Sequence, residues 1–148
     1  MPIPLVIDTD PGIDDALAIL LAVASPEVDL RLVTTVHGNV ELERTTENAL
    51  RVLHLGGRSD VPVAAGARAS LVHPQAERAG HVHGAAGLGG VELAPSPAAV
   101  DPRPAVSTAW AASGSAQMLN SAAAVTFPPR AAEPPMTTSR PIRAAASG

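Results

Sequence analysis

The sequence predicts an α/β protein built on an open parallel, Rossmann-like sheet with crossover helices. Short apolar, β-branched runs alternate with longer segments of helical period in the order β-α-β-α-β, the pattern of strands joined by crossover helices. The strand-like runs are almost continuously apolar, as strands covered on both faces require. Polar clusters follow the first two runs, where an open parallel sheet forms its ligand crevice. Only three strands and two helices are legible, so the sheet is expected to be incomplete.

The elements follow in order. Pro4 to Ile7 is a short apolar run ending at Asp8. Asp14 to Ala24 places Leu17, Leu20, Leu21 and Ala24 at helical spacing, and Pro26 ends that helix. Leu30 to Val36 is the second strand, followed by the turn His37-Gly38-Asn39-Val40. Glu41 to Leu55 carries Leu42, Ala49, Leu50 and Leu53 on one helical face and closes at Gly56-Gly57. Val61 to Ala64 is the third strand, ended by Gly66.

The chain changes character near residue 93. Residues 1–93 hold twelve acids and six Arg, whereas residues 94–148 hold two acids, four Arg and nine Pro. The second stretch is Ala-, Ser-, Thr- and Pro-rich, with a short helix expected around Leu119. Such a chain buries little apolar area against its ordering entropy. It is expected to be a poorly ordered tail, packing little from about residue 100 onward. Lys is absent and all ten basic residues are Arg, a usage that fits GC-rich coding.

Composition excludes several function classes. No basic stripe or aromatic platform suits nucleic acid. Without Cys there is neither a disulfide framework nor a thiolate metal site. No apolar run reaches the length of a membrane span. The first twenty residues lack a basic n-region, and four acids interrupt their apolar stretch. A soluble, cytoplasmic protein is expected.

The chemistry concentrates in PLVIDTDPGIDDALAIL, where Asp8, Asp10, Asp14 and Asp15 crowd a strand-to-helix junction. Asp14 and Asp15 suit the positive end of a helix dipole. That reading leaves Asp8 and Asp10 without a reason, whereas a hard divalent cation such as calcium accounts for all four. An EF-hand loop does not fit, because Gly12 and Ile13 stand where a further ligand and Gly are needed. Aspartyl phosphatases share Asp-x-Asp after a first strand, but their continuation differs from Pro11-Gly12-Ile13-Asp14-Asp15.

DTDPGIDDALAI, then TTVHGNV, then HVHGAAGLGG, resemble the inosine–uridine-preferring nucleoside hydrolases over about residues 3–93. The resemblance implies calcium-assisted hydrolysis of the N-glycosidic bond of purine and pyrimidine ribonucleosides to ribose and free base. It implies Asp10 as general base, and Asp10 and Asp15 as calcium ligands with Asp8 as a partial or outer one. It implies Asp14 and Asn39 as ribose contacts, and His83 as a residue near the base on a mobile glycine-bearing loop. Ala86 departs from the family, which often has an acidic or polar residue there. Read singly, Asn39 is a turn residue, and His81 and His83 are surface loop residues. His37 reads as structural, and His54 and His73 carry no signal.

The resemblance covers roughly the first third of a family member. The later Gly-Pro-Leu-Thr-Asn, Met-Gly-Gly and His-Asp segments have no counterpart here: no His follows His83 and no Asp follows Asp101. Asn120 does not fit the pattern. A frameshifted or prematurely ended reading frame is therefore expected for residues 94–148, with weak or no activity in the chain alone. The alternative is a non-catalytic metal- or nucleoside-binding remnant. Full-length members are homo-oligomers, and neither base preference nor the oligomeric state of this chain is legible.

Overall fold

The computed structural model describes residues 1–70 and 79–113. Three parallel strands form one sheet in the order β1-β2-β3. They are β1 (Ile3–Thr9), β2 (Val28–Thr35) and β3 (Val63–Ala65). Helices α1 (Ile13–Ala24) and α2 (Leu42–Leu55) make the crossovers. A single turn, α3 (Gly80–His83), and a helix, α4 (Ala105–Ser113), follow. This is the predicted α/β architecture with its parallel sheet.

The β1–β2 ladder pairs Leu5 with Leu30 and Val6 with Leu32, so Arg31 is an extra residue bulged out of β2. Leu30 and Val33 consequently face the same core although they are three residues apart. The third strand begins later than its apolar run suggests, at Val63. Pro62 has no N–H to give the ladder, although its carbonyl accepts from Val33 N at 3.1 Å.

The two sheet faces have different covers. Toward α1 and α2 the core contains Ile19, Leu30, Val33, Val52, Leu53 and Val63. The helical face expected on α2 is realised, with Leu42, Ala49 and Leu53 buried. On α1 the face is different from the predicted one. Ile19 and Ala22 are buried, while Leu17 and Leu21 are exposed at 64% and 61%. IDDALAILLAVA is apolar on most of its circumference. Spacing alone therefore does not fix which side meets the sheet.

The other sheet face is covered by α4. Ala105 and Ala109 pack on Val6, Leu32 and Ala64. Ahead of this helix Asp101 bridges to Ala64, its N–H donating to Val63 O at 2.8 Å. Residues 101–113 thus pack on the sheet at the start of the stretch expected to pack little, and the rest of that stretch lies outside the described residues. The cause is local. Pro104 precedes the first helical turn, and Ala has the highest helix propensity. Ala105, Thr108, Ala109 and Ala112 then fall on one face. The short helix expected around Leu119 lies outside the described residues.

Candidate active site

The site is assembled from the ends of β1 and β2. The turn Asp10-Pro11-Gly12 connects β1 to α1, and His37 to Val40 leads from β2 toward α2. Asn39 joins the two. Its N–H donates to Asp10 Oδ2 at 2.7 Å, and its Nδ2 donates to the Asp10 carbonyl at 3.0 Å and to Asp15 Oδ2 at 3.4 Å. Gly38 makes this approach possible: a Cβ there would stand 2.7 Å from Asp10 Cγ. The carboxylate of Asp10 therefore lies directly against the Gly38-Asn39 backbone, an arrangement other residues obstruct.

Asp15 is buried at the third position of α1. It accepts from Thr9 Oγ1 at 2.6 Å and from Gly12 N at 3.0 Å. The second bond is the side-chain half of a capping box, so the helix-start role weighed for Asp15 is real. Asp14 is exposed, with its Oδ1 3.8 Å from His83 Nδ1. His83 ends α3, and its Nδ1 accepts from Ile13 N at 3.3 Å. Asn39 Nδ2 and His83 Nδ1 lie 2.7 and 2.9 Å from where a Cβ on Gly12 would be. Both side chains thus converge over that one residue. Asp8 accepts from Thr34 Oγ1 at 2.5 Å.

Electrostatics single out Asp10. Burial pushes its carboxyl above the ordinary value, the Asn39 N–H bond opposes this, and the charges of Asp15 and Asp14 push it further up. Among the described residues, Arg31, Arg44, Arg51, Arg58, Arg68 and Arg103 pair with other acids. The junction therefore concentrates hard oxygen donors with no Arg paired to them among the described residues. That donor chemistry fits a hard divalent cation. Among the described residues, no three His, Cys, Asp or Glu side chains gather as a group to hold one. Asp10 and Asp15, tied through Asn39, are the pair best placed to begin such a shell.

A cavity of about 410 Å³ adjoins Asn39, lined also by Glu41, Arg44, Gly84 and Ala85. That volume is in the range of small-molecule pockets. His37 is held through Nδ1 by the Ala67 carbonyl at 3.3 Å, and His81 is exposed. Thr9 and Asn48 are polar residues that the sequence reading passed over. Asn48 lies on the buried face of α2 beside Ala49 and Val52. A polar residue among core positions is the signal that could have found it.

The fold and site define a parallel α/β protein with a carboxylate-rich crevice at its strand ends. Residues 5–133 match the family model of the inosine-uridine preferring nucleoside hydrolases, and the chain belongs to that family. It is 52% identical over 93 residues to the non-specific ribonucleoside hydrolase RihC of Klebsiella pneumoniae, which covers 63% of this chain and 30% of that protein. The Escherichia coli RihC is 50% identical over 93 residues, with the same two coverages. A solved plant nucleoside hydrolase superposes with a TM-score of 0.65 at 46% identity, covering 70% of this chain and 33% of its own. The purine-preferring ribonucleoside hydrolase from Gardnerella vaginalis gives 0.66 at 36% identity, covering 70% and 34%. The chain spans about 30% of the length of the curated relatives it matches. The family model extends past the compositional boundary at residue 93, through the region containing α4.

Proposed function

We propose that the chain acts in hydrolysis of the N-glycosidic bond of ribonucleosides, releasing ribose and a free base, as part of purine and pyrimidine salvage in the cytoplasm. What carries the reading is the convergence of Asn39 and His83 over Gly12, with Asn39 also bonded to Asp10, in a chain that belongs to this family. Residues 1–93 hold this chemistry, and residues 94–148 are the segment of different composition.

Asp10 takes the proton of the attacking water. Without a cation, burial pushes its carboxyl up, a shift that a bound cation opposes. Asn39 holds the Asp10 carboxylate still through its N–H. Asp14, exposed at the mouth, accepts from ribose hydroxyls, and its negative charge favours an oxocarbenium-like sugar. Asn39 is a second ribose contact, and His83 lies toward the base. Asp10 and Asp15, with Asp8 as an outer contributor, would hold calcium. Bound there, calcium supplies an oriented water of lowered pKa.

The test is an assay of the purified chain with inosine and uridine, with and without calcium, alongside calorimetric calcium titration. Asp10→Asn is expected to lower whatever turnover the chain has by about 10²–10⁴-fold. Because the chain spans a minor part of its relatives, its own turnover is expected to be weak. Turnover that survives Asp10→Asn unchanged overturns the assignment. A second reading, a non-catalytic metal- or nucleoside-binding remnant, is favoured by the chain spanning only about 30% of the length of its curated relatives. Calcium or nucleoside binding without turnover selects it.

A further inference from the structure

Asn48 is almost fully buried on α2, at 4% exposure, yet its amide serves two loops distant in sequence. Nδ2 donates to Pro11 O at 3.2 Å and to Ala86 O at 2.9 Å. The first carbonyl belongs to the turn immediately after Asp10. The second belongs to the loop that follows His83. Both Nδ2 hydrogens are thereby committed. A second contact crosses the same point. Gly87 has φ +87°, and a Cβ there would lie 2.8 Å from Asn48 Nδ2 and 3.2 Å from Pro11 O. The loop is closed on itself by Gly89 N donating to His83 O at 2.7 Å, and it touches α1 where Ile13 N donates to His83 Nδ1.

We propose that Asn48 is a positioning residue: one buried amide sets the spacing between the Asp10–Gly12 turn and the His83–Gly89 loop, and so holds His83 at the site. The catalytic part of this rests on the nucleoside-hydrolase reading above. The mechanical part does not. Replacing the amide leaves two carbonyls without their shared donor in a buried place, where a lost bond is costly. The loop then opens more readily while the interior of α2 stays closed.

The test uses the full chain and Asn48→Leu, which keeps the branching and number of side-chain heavy atoms and removes the donor. Amide hydrogen exchange at Gly89 and Ile13, taken relative to Val52 in the α2 core, is expected to accelerate about tenfold. Gly87→Ala, which crowds the same amide from the loop side and leaves α2 intact, is expected to do the same. It serves if Asn48→Leu fails to fold. Combining the two is expected to add little to either alone, because both break one contact. With inosine as substrate, KM is expected to rise about tenfold while kcat changes less. Unchanged relative exchange at Gly89 and Ile13 overturns the proposal. So does faster exchange with KM unchanged in an active preparation, which makes Asn48 merely structural. If the unmutated chain shows no turnover, the hydrolase reading fails by itself, and the exchange data still decide whether Asn48 couples the two loops.

Discussion

One sheet is covered in two different ways. Toward α1 and α2 it meets branched aliphatic side chains, with Ile19, Val33, Leu53 and Val63 each at or below 1% exposure. Toward α4 it meets methyl groups, with Ala105 and Ala109 packed on Val6, Leu32 and Ala64. Burial stabilises in proportion to the apolar area removed from water. Each residue of the first cover therefore contributes more than each residue of the second. The thin cover instead lets a helix backbone lie close to the sheet.

Three measurements can break or sharpen that contrast. The largest effect is expected at Leu53→Ala, a loss of about 2–5 kcal/mol in urea unfolding. Ala109→Gly on the thin side is expected to cost about 1 kcal/mol, chiefly through helix propensity. Equal losses at the two positions erase the contrast. Next, Leu17→Gln or Leu21→Gln on the outer side of α1 is expected to change stability by no more than about 0.5 kcal/mol. A larger loss means that this side of α1 is covered.

The smallest effect is expected where the chain enters α4. The Arg103 side chain, then its N–H, holds the Asp101 carboxyl down at about 2. A carboxyl whose folded value lies below its unfolded one, about 3.9, stabilises the fold above the unfolded value. That contribution fades as pH falls toward the folded one. Acid unfolding of Asp101→Asn should therefore lose a small part of its dependence between about pH 4 and pH 2. An identical acid profile removes Asp101 from the account of how α4 is attached.

The same contrast explains what the sequence disclosed. Branched runs and a clear helical period made β1, β2 and α2 legible, and the acidic cluster marked the strand-end crevice by its place after the first apolar run. The side chains that build the α4 cover carry almost no period. Alanine looks alike on every side of a helix, and Val106 points outward at 76% exposure. The chosen face of α1 was hidden by the opposite cause, an excess of apolar residues. At the site, motif position drew attention to Asp10, Asp14, Asn39 and His83, and the structure brings Asn39 against Asp10 and His83 near Asp14. Asn48 escaped because its partners are backbone carbonyls at residues 11 and 86, which no side-chain motif records.

The bulge at Arg31 makes one residue of the middle strand supernumerary. Leu30 and Leu32 already face opposite sides of the sheet, as adjacent ladder residues do. The two halves of β2 would therefore join in phase without Arg31. Drawing Arg31 into the ladder instead would exchange the faces of everything after it. Thr34 would turn away from Asp8, and Thr35 from Thr46, the partners they now hold at 2.5 and 2.7 Å. The centre of a sheet is ordinarily the least forgiving place for a length change. Here it contains a spare residue, and the phase of the threonines behind the acidic crevice depends on keeping that residue out of line.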